Sequence, residues 1–254
     1  MTTVSDIFSF LCGIAPLSLQ TSYDNAGFLV GHGDAAVDMV LLSLDITGEV
    51  IEEAEALEAQ LIVSHHPVIF HPLRSVTADG EGALVMRLVE KRLAAICMHT
   101  NLDIAEGGVN DVLIEKLGAR CESALDEDGC GRIGVLPREM SMPAFLAFCK
   151  KTLGVNALRY VDAGRPVRRL AVMGGAGGDA MRESLNKGCD TYVTADIKYH
   201  QFLDAAELGL NLIDADHFCT ENPVIPAVAE QLQAAFPAVR FQISQRHRQI
   251  IQSY

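Results

Sequence analysis

The chain lacks a lysine- or arginine-rich block, a Cys-x-x-Cys pair, a fixed-period repeat, a low-complexity segment and any apolar run of bilayer-spanning length. Each lack narrows what the protein does. Sequence-independent binding of nucleic acid depends on counterion release by clustered basic side chains. With 20 basic against 33 acidic residues and a formal charge of −13, that partner is disfavoured. A membrane helix needs about 20 consecutive apolar residues, so no membrane partner is expected. The start, Met1-Thr2-Thr3-Val4-Ser5-Asp6, carries neither a basic stretch nor an apolar segment, so no secretory leader is expected. Seven cysteines are scattered singly. That pattern fits a reduced, cytoplasmic compartment better than a disulfide framework, although Cys121 and Cys130 flank an acidic loop.

What is present is an alternation of buried-strand and helix patterns across 254 residues, 49% of them hydrophobic. Residues 37–45, 61–64 and 93–99 read as strands, with helices predicted over 49–59, 83–92 and 109–117. The stretch 119–131 is acidic and poor in periodicity, and marks a boundary or a hairpin-like excursion. Beyond it, strands are predicted over 133–136, 158–161, 170–173, 191–194, 210–213 and, at an edge, 239–243. Helices alternate with them over 143–153, 179–186, 199–208 and 223–235. Such alternation implies parallel pairing with crossover helices. The expected fold is two α/β halves of similar length, residues 1–120 and 121–254, with mostly parallel sheets flanked by helices.

Chemistry concentrates at the carboxyl ends of the strands, where open α/β sheets collect ligands. Leu61-Ile62-Val63-Ser64-His65-His66-Pro67 delivers two adjacent imidazoles there. Neighbours on extended backbone point to opposite sides, so one ion rarely uses both, whereas two ions side by side can. A polar exit from a buried strand is the competing account. His99, Asn101 and Asp103 follow the next strand; Asp196, Lys198 and His200 follow 191–194; Asp214, Asp216 and His217 follow 210–213. Thr220 reads as a helix N-cap with Glu221 in the first turn. Alternatively, His217 on a loop and Glu221 on that turn converge as a nitrogen and a carboxylate ligand. Zn²⁺, Mn²⁺ and Fe²⁺ accept that mixture, and Asp103 and Glu221 are candidate bridges between two ions roughly 3.5–4 Å apart.

The motifs Tyr23-Asp24-Asn25-Ala26-Gly27, Ser64-His65-His66-Pro67, His99-Thr100-Asn101-Leu102-Asp103, Thr194-Ala195-Asp196-Ile197-Lys198-Tyr199-His200, Asp216-His217 and Thr220-Glu221-Asn222-Pro223 occur in that order. Together they resemble the NIF-three-like family, often labelled GTP cyclohydrolase I type 2 homologues, in its short form without an inserted middle domain. The resemblance implies that His65, His66, Asp103, His217 and Glu221 ligate a di-metal centre. It also implies a toroidal homohexamer whose metal sites face an inner cavity. The family commonly has Trp where Tyr23 stands, and this chain has no Trp; that departure touches substrate inference more than ligation.

Three weaker features stand beside these. His99 reads as a proton shuttle, an outer partner of a ligand, or a hydrogen-bonded core histidine. Lys198 and His200 suit an anionic substrate, proton movement or a solvated helix start. Gly174-Gly175-Ala176-Gly177-Gly178-Asp179 fits a degenerate G-x-G-x-x-A with Ala180, and Asp196 one unit later suits a ribose, which would make a dinucleotide-dependent enzyme. The same loop could instead form a tight turn or offer amides to a substrate phosphate. Two functions therefore stand: a hydrolase using two divalent ions on a nucleotide-like or phosphorylated small molecule, with GTP cyclohydrolase-type activity one option, or a metal-binding or metal-delivery protein without turnover.

Overall fold

A computed structural model describes residues 1–253, folded as two α/β units, each a sheet flanked by helices. The first unit comprises Met1–Glu106 with Ile225–Arg248, the second Gly107–Val224 with the C-terminal residues from Gln249 onward.

In the first unit the chain runs through α1 (Val4–Ile14), β1 (Gly27–Val30), β2 (Met39–Ser43), α2 (Gly48–Ala56), β3 (Leu61–Ser64), α3 (Ala83–Glu90), β4 (Ala94–Cys97) and α4 (Thr100–Ile104). It returns near its end with α10 (Val224–Ala235) and β11 (Arg240–Ile243). The sheet order is β1-β4-β3-β2-β11, and three of its four pairings are parallel, only β1–β4 being antiparallel. Strands β2, β3 and β4 are buried along their whole length, which is why they read as unbroken apolar runs rather than alternating ones. Leu41, Ile62, Ala95, Val50, Ile51 and Leu88 fill the core between sheet and helices. Helix α1 starts at a reciprocal box in which Thr3 and Asp6 cap each other, and Thr47 caps α2 through Val50 N. Each such cap contributes about 1 kcal/mol.

The second unit holds α5 (Val109–Lys116), β5 (Arg120–Ala124), β6 (Arg132–Met140), α6 (Met142–Leu153), β7 (Arg159–Val161), β8 (Val167–Val172), α7 (Met181–Asn186), β9 (Thr191–Thr194), α8 (Tyr199–Leu208), β10 (Asn211–Asp214) and α9 (His217–Glu221). Its sheet order is β5-β6-β8-β9-β10-β7. Only β8–β9 and β9–β10 pair in parallel; β5–β6, β6–β8 and β7–β10 are antiparallel. The expectation of mostly parallel strands therefore holds for the first sheet and not for the second.

The unit boundary also differs from the expected break at 120/121. Helix α5 packs on the second sheet, with Leu113 and Ile114 inside its core, so the break falls before Gly107. The acidic stretch 119–131 is the β5–β6 hairpin, internal to that sheet. At the other end, β11 extends the first sheet alongside β2, so residues 225–248 leave the second half for the first unit. Among the described residues all seven cysteines are free thiols, and no helix is long and apolar enough to cross a membrane.

Candidate metal centre

Strand β3 stops at Ser64, and both following amides donate to the same carbonyl, Leu44 O, at 3.1 Å from His65 and 2.9 Å from His66. One acceptor for two successive N–H groups bends the chain out of extended form. The His65 and His66 rings consequently lie with centroids 4.9 Å apart, too close for side chains projecting from opposite faces. The tandem is thus gathered at one place, contrary to the alternation expected of extended backbone.

The three clustered imidazoles of the first unit, His65, His66 and His99, are each held at Nδ1. His65, fully buried, bonds Met98 O at 2.9 Å. His66 bonds Asp45 Oδ1 at 2.8 Å and His99 bonds Asp24 Oδ1 at 2.6 Å. Carbonyl and carboxylate oxygens only accept, so Nδ1 carries the proton and Nε2 becomes the coordinating nitrogen of the neutral ring. Ligand atoms of His65, His66 and His99 lie within 4.8 Å of one another. Asp103, on α4, brings Oδ1 to 3.7 Å from His65 Nε2.

The carboxylates behind the rings are ionised. Burial alone would raise the Asp24 pKa, but bonds from His99 and Thr100 outweigh it and bring it down to about 2. At Asp45 burial is likewise overcome, by His247 and His66, and the carboxyl sits far below its ordinary range.

In the second unit β10 ends at Asp214, which is committed to structure through Arg159 and Ile197 N. Asp216, at φ 71°, caps α9 by accepting from Cys219 N at 3.0 Å. The helix therefore begins at His217, four residues before the start expected from a Thr220 cap, and Thr220 instead donates back to Asp216 O. This places His217 and Glu221 at i and i+4 on one helical face, with His217 Nε2 3.1 Å from Glu221 Oε2. His217 Nδ1 bonds Asp196 Oδ2 at 2.7 Å, repeating the arrangement of the first unit. Asp196 sits at φ 55°, a conformation that aspartate tolerates better than most residues.

The glycine loop makes room for this couple. A side chain at Gly175, itself at φ +63°, would put Cβ 2.1 Å from Glu221 Oε1 and 3.1 Å from His217 Nε2. The amides of Gly174, Gly175 and Gly177 donate to Asn110 Oδ1, Thr220 Oγ1 and Thr194 Oγ1 at 2.9, 3.0 and 3.0 Å. Those donors face the protein rather than a pyrophosphate, and Asp196 is engaged by His217, so the dinucleotide reading loses its basis. Lys198 and His200 lie on the exposed start of α8, as a solvated helix would place them.

The donor chemistry fits a divalent ion. Two ligands bonded at about 2.0–2.1 Å in a tetrahedron lie roughly 3.3–3.4 Å apart. The His65–Asp103 and His217–Glu221 separations, 3.7 and 3.1 Å, straddle that value. Residues that sequence reasoning passes over are the ring holders. Asp45 looks like the last residue of a strand, although it stands at a strand end like the ligands themselves. Asp24 stands only inside a family motif, Asp196 reads as a ribose acceptor, and His247 carries no signal at all.

Burial disfavours the charged form of His217, yet the Glu221 and Asp196 carboxylates beside it raise its pKa to about 9. Binding a metal through Nε2 must release that proton. Metal affinity should accordingly rise about tenfold per pH unit from 7 to 9 and level off above, checked by competition titration and by buffer-dependent heats of binding. The sign for metal-free stability is opposite. A raised histidine pKa stabilises the fold fully below about 6.5, and that contribution is lost as pH rises through about 9. His217→Asn should flatten both profiles.

The chain is similar to known proteins in both sequence and fold. A family model described as DUF34/NIF3 (NGG1p interacting factor 3) matches residues 2–250. A Clostridium perfringens protein named GTP cyclohydrolase 1 type 2 homolog is 35% identical over 238 residues, covering 91% of each chain. A Helicobacter pylori protein named GTP cyclohydrolase 1 type 2 is 30% identical over 239 residues, 92% of this chain and 93% of that one. Among solved structures, a Staphylococcus aureus hypothetical protein is similar at a TM-score of 0.93 and 27% identity, over 99% of both chains.

Proposed function

The chain belongs to the DUF34/NIF3 family, and from that premise we propose that it is a dinuclear metal-dependent hydrolase of nucleotide-like or phosphorylated small molecules. The observation that carries the reading is the repeated imidazole–carboxylate couple, His65–Asp103 in one unit and His217–Glu221 in the other, each ring tied at Nδ1. In this reading His65, Asp103 and His66 of the first unit and His217 and Glu221 of the second would be the residues that hold two divalent ions. Zn²⁺, Mn²⁺ and Fe²⁺ all suit such donors. The chemistry such ions would supply is activation of water and neutralisation of substrate charge. The protein supplies orientation: Met98 O, Asp45 and Asp196 fix the ligating rings, and the buried Glu221 carboxylate is confined by Gly175. His99, held by Asp24 beside His65 and His66, is assigned to moving the proton of the attacking water. A ring of six copies is the proposed assembly.

Protein purified without added metal should contain about two ions per chain, as a two-metal site requires, by elemental analysis. It should then hydrolyse at least one member of a panel of nucleotides, GTP included, and phosphoesters. Absence of stoichiometric metal would sink the centre. Two ions with no turnover across the panel would sink the hydrolase and leave a metal carrier, and light scattering at one chain mass would remove the ring.

A further inference from the structure

The C-terminal segment after β11 does more than close the sheet. Glu53, buried on α2, accepts from Ser244 Oγ, from Gln245 N at 2.9 Å and from Arg246 N at 3.2 Å. A buried carboxylate is costly unless its oxygens are bonded, and here they are bonded by one turn of backbone. Ser244 Oγ in turn accepts from His247 N at 3.0 Å. The turn so fixed carries the His247 ring, only 9% exposed, to Asp45, where Nε2 lies 3.0 Å from Oδ2. The other oxygen of the same carboxylate, Oδ1, holds His66 Nδ1.

We propose that His247 is a positioning residue for His66, closing a chain His247–Asp45–His66 that holds His66 as the Nδ1–H tautomer. This rests on the reading of His66 as a metal ligand. The Asp45 side chain is 42% exposed, so a single bond to His66 leaves it able to rotate and to trade that bond for water. An N–H from His247 on the second oxygen removes the freedom, because charge-assisted bonds at both oxygens fix the carboxylate plane. His66 is then presented with Nε2 unprotonated before any ion arrives.

Two variants separate this from simple packing. His247→Gln keeps an N–H donor of similar reach; His247→Phe keeps the ring and loses the donor. His66 tautomers are read from long-range proton–nitrogen spectra of the metal-free protein, and affinity from Co²⁺ titration followed by its visible absorption. The expected result is a wild-type tautomer and affinity in His247→Gln. In His247→Phe a mixed His66 tautomer is expected, with an affinity loss for at least one ion in the roughly 10–100-fold range of outer partners. If the phenyl ring is not tolerated, His247→Ala takes its place. A His247→Phe protein with wild-type tautomer and affinity overturns the inference, as does a His247→Gln protein equally impaired. A wild type that takes up no Co²⁺ defeats the metal centre. The tautomers, being read without metal, still decide whether His247 holds His66 through Asp45.

Discussion

Replacing His65 and Glu221 together by alanine is expected to abolish stoichiometric metal while leaving a folded protein. The loss should exceed the roughly 10–100-fold that removing an outer partner costs, because both substitutions delete donor atoms. The single variants carry the sharper information, since His65 lies in the first unit and Glu221 in the second. If the units share ions, the first substitution disables a common site and the second adds little. If each binds its own ion, each variant loses one equivalent and the effects add. Groups that act as one site show couplings of roughly 0.5–3 kcal/mol, whereas independent sites add. Folding must be followed alongside: His65→Ala leaves the buried Met98 carbonyl without its donor, at a cost of about 1–3 kcal/mol. Circular dichroism of the metal-free variants separates that cost from ligation. Retention of two equivalents by the double variant would remove the assignment of both residues.

The candidate ligands are legible in the sequence because a simple rule points at them: polar side chains at carboxyl ends of strands. His65, His66, Asp103 and His217 all fall there. Their orientation is not legible. The close approach of the His65 and His66 rings depends on two amides converging on Leu44 O, a bend that no residue pattern signals. Glu221 stands out for the wrong local reason, since Asp216 rather than Thr220 caps its helix. An i,i+4 couple shows in the spacing only once the helix start is known. In the fold, apolar runs identify β2, β3 and β4 because both their faces are buried. Direction is hidden in the second sheet, where β6 pairs antiparallel with both neighbours; apolar content says nothing of direction. Residues 239–243 read correctly as an edge strand, yet nothing local assigns them to β2. His247 is invisible for the same reason, as its partner Asp45 is brought to it by tertiary structure alone.

Gly175→Ala tests whether the glycine loop exists for the ligands, and it should impair metal binding without altering any donor. Two costs are involved. The backbone sits at φ +63°, where an L side chain costs about 1–2 kcal/mol. Gly164 controls for this cost: it has φ +74° with nothing within 4 Å of an added Cβ. Gly164→Ala should therefore lose a similar amount of stability and bind metal normally. At Gly175 the methyl would also stand 2.1 Å from Glu221 Oε1, so something must give. The loop is poorly placed to yield. Gly175 N donates to Thr220 Oγ1 at 3.0 Å, while its carbonyl accepts from Ala195 N at 2.9 Å and Thr194 Oγ1 at 3.1 Å. The displaced group should be the Glu221 carboxylate, with the His217 couple broken as a consequence. Metal affinity is expected to fall by about 10–100-fold, the scale of a misdirected ligand rather than a missing one. The raised pKa of His217 should fall in the same variant, because Glu221 contributes most to it. Competition titration and histidine NMR titration measure the two effects. Equal metal affinity in the Gly175→Ala and Gly164→Ala proteins would mean that the loop is only a turn and that Glu221 does not need the space it was given.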